Sequence, residues 1–155
     1  MKGEDLRRYT NFKIFSVIIS IPVLLVILSG CNRSSSSRQD EIKLASLEDM
    51  PTEVQTAPVT VQQAYQFVVA NPEVMKQIPC YCGCGAMGHA SNYACYVSGV
   101  DGNGSVSFDS HALGCSICVD ITQDTMRLLK QDKTVSEIKD YIDQTYSQYG
   151  PSNIP

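Results

Sequence analysis

The chain has 155 residues, 18% of them charged and none of them tryptophan, and its formal net charge is −4 at pH 7. This acidic balance argues against nucleic-acid binding and against electrostatic attachment to anionic lipid headgroups, since both need a basic surface. The length suits one folded domain once the terminal segments are set aside.

Residues 1–30 have the form of a lipoprotein signal peptide. Four basic residues precede an uncharged apolar run at 14–28. The run is shorter than the roughly 20 residues that span a bilayer and has the length of a signal h-region. The following LSGC at 28–31 resembles a lipobox, in which Cys31 receives diacylglycerol and becomes the new N-terminus. The sequence therefore predicts a lipid anchor on the extracytoplasmic face of a bacterial membrane, with a plain membrane anchor as the alternative.

Cleavage before Cys31 leaves 125 residues (155 − 30) with 8 basic and 14 acidic side chains, a net charge of −6. Residues 31–56 hold four consecutive serines and few large apolar side chains, which is typical of a disordered linker. The folded domain is predicted at 57–150, followed by a tail at 151–155. A domain of fewer than 100 residues buries a small core, so disulfides or a metal often support it.

The first half of the domain is predicted to contain two helices. Apolar residues at i, i+3, i+4, i+7 and i+8 place a helix over 60–70. Asn71 and Pro72 end it, because the residue before proline avoids the α region, and a short helix follows over 72–77. The cysteine-rich segment after it is predicted to be a loop.

The second half combines a small hairpin with two longer helices. The turn residues DGNG at 101–104 predict a β-hairpin between 93–98 and 105–108. A helix is expected over 115–131, and a last helix begins at the capping box 134–137 and stops near Gly150. The fold class is therefore mainly α, a small helical domain with a cysteine-rich loop and a short β-hairpin.

Three cysteines alternate with single residues in the run PCYCGC at 79–84. Thiols at i and i+2 are poorly placed to bridge each other, because a disulfide needs converging Cβ vectors. Three thiolates within five residues do suit a soft metal ion, which binds sulfur at about 2.3 Å when the ion is zinc. The run is predicted to be part of a thiolate metal site.

The remaining cysteines and the two histidines complete a candidate ligand set. A C-x-x-C pair is commonly half of a metal site, and the pair at 115–118 lies at a predicted helix start, where thiolates are stabilised. The predicted ligands are Cys80, Cys82, Cys84, His89, Cys95, His111, Cys115 and Cys118. They suffice for two closed tetrahedral sites or for one polynuclear thiolate cluster with bridging sulfurs.

Other interpretations of these residues stay open. The six thiols also permit three disulfides in an oxidising compartment. The C-x-x-C pair permits a thioredoxin-type redox function, although the βαβ context is absent. His89 and His111 can instead cap a turn and a helix. Phosphate loops, serine-nucleophile elbows and paired catalytic carboxylates are not evident, so no enzyme is predicted.

The segments PCYCGCGAMGHASNYACYV, FDSHALGCSICVDI and VSEIKDYIDQTYSQYG resemble the PCYCGC-motif lipoproteins of Gram-positive and related bacteria. The resemblance covers residues 77–150 and the lipobox. It implies that the family's six cysteines and its histidine correspond to the six domain cysteines and His89. It implies no biochemical role, since none is established for the family.

Together these observations predict a lipid-anchored, extracytoplasmic metal-binding protein. Cu(I) is the expected ion for copper handling at the membrane surface, and zinc is the rival as a structural ion. A metal-exchange partner protein is expected, and the sequence identifies neither this partner nor the oligomeric state. The alternatives are a disulfide-stapled module of the envelope or spore and a thiol–disulfide oxidoreductase.

Overall fold

The computed structural model describes residues 42–154. The predicted signal peptide, Cys31 and the first part of the predicted linker lie outside these residues. Within 42–154, no helix is both long enough and apolar enough to cross a membrane.

Three helices form the body of the domain: α2 (Val59–Ala70), α5 (Ser116–Leu129) and α6 (Val135–Tyr146). Helix α5 packs against both of the others. Each helix buries one apolar stripe, as the spacing of its side chains predicts. The fully buried Tyr65, Ile121 and Ile138 represent the three stripes in the common core. The predicted helical class is confirmed.

Short helices precede, connect and follow these three. They are α1 (Thr52–Gln55), α3 (Pro72–Met75) and α4 (His111–Gly114), with 3-10 helices at Leu47–Asp49, Cys84–Met87, Asn92–Cys95 and Ser147–Tyr149. Helix α3 ends earlier than predicted, and α4 was not predicted. The last α-helix ends at Tyr146, before the predicted stop near Gly150, because the chain tightens there into a 3-10 turn.

The predicted hairpin is present as an antiparallel pair, β1 (Val97–Val100) and β2 (Val106–Phe108). Asp101 Oδ1 accepts hydrogen bonds from the amides of Asn103 (2.9 Å) and Ser105 (2.8 Å), which closes the turn. The first strand starts later than predicted. Residues 92–95 form a 3-10 helix instead, which carries Asn92 and Cys95 into the interior.

The folded domain begins before the predicted boundary at 57, so the assignment of 42–56 to a disordered linker is wrong. Met50 and Val54 are buried in the core at 4% and 1% exposure. The Ala45 amide also donates to the carbonyl of Gln66 on α2 at 3.0 Å. Ile42, Ala45 and Leu47 also pack against the core, and apolar residues spaced in this way have no helical period.

The capping box of α6 is confirmed and gives a test of helix stability. Thr134 Oγ1 accepts from the Glu137 amide at 3.3 Å, and the Thr134 amide donates to Glu137 Oε2 at 2.8 Å. We expect Thr134→Ala to lower the free energy of unfolding by about 1 kcal/mol. Urea denaturation of the mature protein measures this, and Ser136→Ala, at an exposed position of the same turn, should change little.

The same cap predicts a pH dependence. Hydrogen bonding from Thr134 and then Lys133 lowers the pKa of the exposed Glu137 from 4.5 to about 2. A lowered folded-state pKa stabilises the protein above the unfolded value, and this contribution is lost as pH falls from about 4.5 towards 2. The difference in stability between wild type and Thr134→Ala should therefore shrink in acid. An unchanged difference at pH 3 would contradict this role of the cap.

Candidate metal centre

The PCYCGC segment presents its cysteines by a tight turn between the core and the surface. Gly83 (φ 83°) precedes the 3-10 helix Cys84–Met87, and Gly88 (φ 89°) follows it. Both glycines have left-handed backbone conformations that side chains disfavour. The turn between them is therefore built into the glycine pattern of the sequence.

Four of the other ligands come from two short helices and one long helix, and His89 lies in the loop before them. Cys95 ends the 3-10 helix Asn92–Cys95, and His111 begins α4. Cys115 is the N-cap residue of α5, and Cys118 lies in its first turn. The positive end of the helix dipole therefore faces both sulfurs, as expected from the C-x-x-C position.

The sulfur atoms lie at contact distance from one another. Cys80 Sγ is 3.4 Å from both Cys82 Sγ and Cys118 Sγ, and Cys84 Sγ is 3.5 Å from Cys95 Sγ. Sulfurs bound tetrahedrally to zinc at about 2.3 Å lie about 3.8 Å apart. The observed separations are close to that spacing and far longer than a disulfide bond, and all six cysteines of the described residues are free thiols.

All eight predicted ligands come together, in four overlapping groups whose donor atoms lie within 4.8 Å of one another. The groups are Cys82, His111, Cys115 and Cys118; Cys84, His89, Cys95 and His111; Cys80, Cys82 and Cys84; and Cys80, Cys95 and Cys118. We call the eight residues the thiolate cluster. It can hold a metal ion.

His89 carries a nitrogen that has no partner within the described residues. Its Nε2 lies 3.5 Å from Asp109 Oδ2, and its Nδ1 is buried without a hydrogen bond. A buried polar atom without a partner costs roughly 1–3 kcal/mol. When Nε2 carries the proton and faces Asp109, Nδ1 has a free lone pair, so a metal ion in the cluster would satisfy it.

Asp109 orients both histidines of the cluster and was missed as a site residue. Its Oδ1 accepts a hydrogen bond from the His111 amide at 2.8 Å, while its Oδ2 faces His89. The two imidazole rings meet edge to face with centroids 5.1 Å apart. A carboxylate two residues before a histidine was the available signal.

Asn153 belongs to the predicted tail and lies directly against the cluster. Its Oδ1 accepts from the Cys80 amide (2.7 Å), and its Nδ2 donates to the His89 carbonyl (3.0 Å) and to Cys84 Sγ (3.5 Å). The assignment of 151–155 to a tail outside the domain is therefore wrong for Asn153. No local pattern indicates a contact between residues more than 60 positions apart.

A fully buried polar network holds the backbone of Cys118. Tyr96 Oη donates to the Cys118 carbonyl at 2.9 Å and lies 2.8 Å from Thr122 Oγ1. Asn92 Nδ2 donates to the same carbonyl at 3.3 Å. Since all three side chains are completely buried, the first turn of α5 is fixed in position behind the cluster.

The motif's tyrosine connects the cluster segment to α6. Tyr81 Oη donates to Asp143 Oδ1 at 2.5 Å, and burial followed by this contact raises the pKa of Tyr81 to about 12. The tyrosine is therefore neutral at physiological pH. Its role is to anchor the alternating cysteines to the helical body.

Hydrogen bonding among the sulfurs and burial shift the pKa values of the thiols in opposite directions. Hydrogen bonds from Cys118 and Cys95 lower the pKa of Cys80 to about 2, whereas burial raises the pKa of Cys82 and of Cys84. Hydrogen bonding to Cys80 also raises the pKa of Cys118. A bound cation would lower the pKa of every thiol that coordinates it, because coordination deprotonates the sulfur.

The comparisons with known proteins agree with the motif. A family model described as "Protein of unknown function with PCYCGC motif" matches residues 21–155. The chain belongs to this family. Comparison with curated proteins and with solved structures finds no match for it. The function of this PCYCGC protein must therefore be argued from the cluster.

The contact between the C-terminal residues and the motif can be tested at Gly150. A Cβ built there lies 2.8 Å from the Tyr81 carbonyl oxygen. We expect Gly150→Ala to displace Asn153 from Cys80, to lower the free energy of unfolding by about 1–3 kcal/mol and to speed the reaction of the cluster thiols with a thiol reagent.

Gly102→Ala is the matched control, because a Cβ at Gly102 meets no atom within 4 Å. Denaturation and thiol-reaction rates of both metal-free variants, measured under anaerobic conditions, decide the outcome. Equal thiol reactivity in wild type and Gly150→Ala would show that the C-terminal segment does not shield the cluster.

Proposed function

We propose that this protein binds Cu(I) in the thiolate cluster, outside the cytoplasm, while lipid at Cys31 attaches it to the membrane. The observation that carries the proposal is the convergence of six free thiols and two imidazoles in one largely buried site. The buried Nδ1 of His89, which has no hydrogen-bond partner within the described residues, adds a possible ligand atom. We assign no enzymatic reaction to the site.

The donor set supports a soft ion. Every member of the four groups is a cysteine or a histidine, and the nearby carboxylate of Asp109 contacts His89 instead. Thiolates select Cu(I), Zn(II) or iron–sulfur clusters, whereas Ca²⁺ and Mg²⁺ need oxygen ligands. An iron–sulfur cluster places inorganic sulfide ions between its cysteine ligands. The cysteine sulfurs here lie only 3.4–3.6 Å apart, which leaves little space for sulfide.

Sharing of donors favours Cu(I) over zinc. A structural zinc site is closed and tetrahedral, with four ligands belonging to one ion. Here Cys80 lies 3.4 Å from Cys82 and from Cys118, yet it is outside the four-residue group that contains both. A thiolate that lies between two metal positions can bridge them. Cu(I) suits such an arrangement, because it accepts three ligands and bridging thiolates.

A bound ion also accounts for free thiols in the proposed extracytoplasmic location. Extracytoplasmic compartments are oxidising, so unprotected thiols at contact distance tend to form disulfides. A bound ion would keep six neighbouring thiols reduced there. The same observation argues against the disulfide-stapled module, since the cysteines gather around one centre and not in separate pairs.

Metal content tests the proposal directly. Mature protein purified without oxygen should contain stoichiometric copper by elemental mass spectrometry, and its six domain thiols should react with a thiol reagent only after a Cu(I) chelator is added. Zinc in place of copper would keep a metal site but refute the copper assignment. Three intact disulfides and no metal would refute both.

The membrane attachment is tested separately. We expect Cys31→Ser to abolish the incorporation of a labelled fatty acid into the protein, because the acceptor of the lipid is lost. Ser34→Ala, which lies just outside the lipobox, is the control and should be labelled like the wild type. Recovery of the protein from cells grown with the labelled fatty acid gives the measurement, and an unlabelled wild-type protein would refute the lipid anchor.

A further inference from the structure

We propose that the thiolate cluster binds four Cu(I) ions as one unit, with five cysteines bridging between ions. This inference rests on the proposed binding of Cu(I) and specifies how much of it the protein carries. The structural basis is the way in which the four donor groups share residues.

Each pair of the four groups has one residue in common. Cys80, for example, joins the two three-cysteine groups, and His111 joins the two groups that contain histidine. Five cysteines therefore belong to two groups each. They are Cys80, Cys82, Cys84, Cys95 and Cys118. Four positions that are linked pairwise in this way have the connectivity of the corners of a tetrahedron, with a shared residue along each edge.

The number of donors matches four three-coordinate ions. Five cysteines used twice, together with Cys115 and His89 used once, supply twelve bonds, three for each of four ions. This count leaves His111 unused. Its Nε2 is 3.4 Å from Cys82 Sγ, so it adds a fourth ligand to the position that Cys115 completes. When His111 binds only at the Cys115 position, each of the other three groups still has three donors.

Two separate tetrahedral sites explain the distances less well. Such sites need Cys80 to join Cys84, His89 and Cys95, because the other four donors already form a complete group. The shortest contacts of Cys80, however, are to Cys82 and Cys118, which belong to that other group. Cys80 lies between the two sets of donors, where a bridging thiolate is needed.

The charge of the assembly is compatible with its surroundings. Six thiolates and four Cu(I) ions carry a net charge of −2, and binding displaces the protons that the thiols hold. The N-terminus of α5, where Cys115 and Cys118 lie, directs its positive dipole at the sulfurs. The side-chain amide of Asn153 also donates to Cys84 Sγ.

Counting the bound ions tests the inference on the wild-type protein. Metal-free mature protein is titrated with Cu(I) under anaerobic conditions, and native mass spectrometry records the ions on each chain. We expect the four-copper form to predominate over forms with one to three ions, because each bridging thiolate couples two positions. Zn(II), which prefers four ligands, should stop at two ions per chain.

Two cysteine variants provide the matched comparison. Cys80→Ser removes a donor shared by two groups, so fewer than four Cu(I) ions should remain. Cys115→Ser leaves Cys82, Cys118 and His111 at its position and should keep four. Circular dichroism establishes whether each variant folds. If Cys80→Ser does not fold, the number of Cu(I) ions on the wild-type chain decides between the four-ion cluster and smaller forms.

The outcomes separate this inference from the proposed function. One or two Cu(I) ions on the wild-type chain, or four on Cys80→Ser, would overturn the four-ion cluster and leave copper binding in place. No Cu(I) bound to the wild-type chain would overturn both.

Discussion

The packing of six thiols into one cluster, four of them buried, is the constraint on which the rest of this structure depends. Cys80 is fully buried with two other sulfurs at 3.4 Å, and a thiolate in such a place is costly without a counter-charge. Protons shared among the sulfurs reduce that cost in part. A soft cation removes it, since it compensates the charge of several sulfurs at once and also provides a partner for His89 Nδ1.

Polar contacts around the cluster fix the positions of its ligands within this small domain. Asn153 binds the backbone of Cys80, Asp109 orients both histidines, and Tyr96 fixes the carbonyl of Cys118. Outer contacts of this kind set the direction of metal ligands and raise affinity. They come from elements distant in sequence, so the site is a property of the whole fold and not of the PCYCGC segment alone.

Local patterns predicted the features that depend on local physics. The periodicity of α2, α5 and α6 and the capping box at Thr134 were sufficient to place the helices. The cysteine spacing and the two histidines indicated the eight side chains that the fold brings together. The parts that failed depend on contacts at long range. Met50 and Val54 fasten a segment that has no helical period, and Asn153 reaches the motif only after the chain has folded back. The 3-10 helix at 92–95 lies where strand was predicted, and it places Asn92 against the carbonyl of Cys118, a contact 26 residues away along the chain.

Helix α5 links the candidate metal site to the apolar core. Its first turn carries Cys115 and Cys118, whereas its later turns bury Ile121 and Leu128 in the core shared with α2 and α6. Burial of such side chains contributes about 1.5–3 kcal/mol each, independently of any ion. Since this apolar stabilisation needs no metal, the domain differs from a zinc finger, whose folding energy is the metal-binding energy. The difference supports the proposal that copper is exchangeable cargo. In that proposal, ions would exchange at the side of the cluster where Cys82, His111 and Cys115 are half-buried.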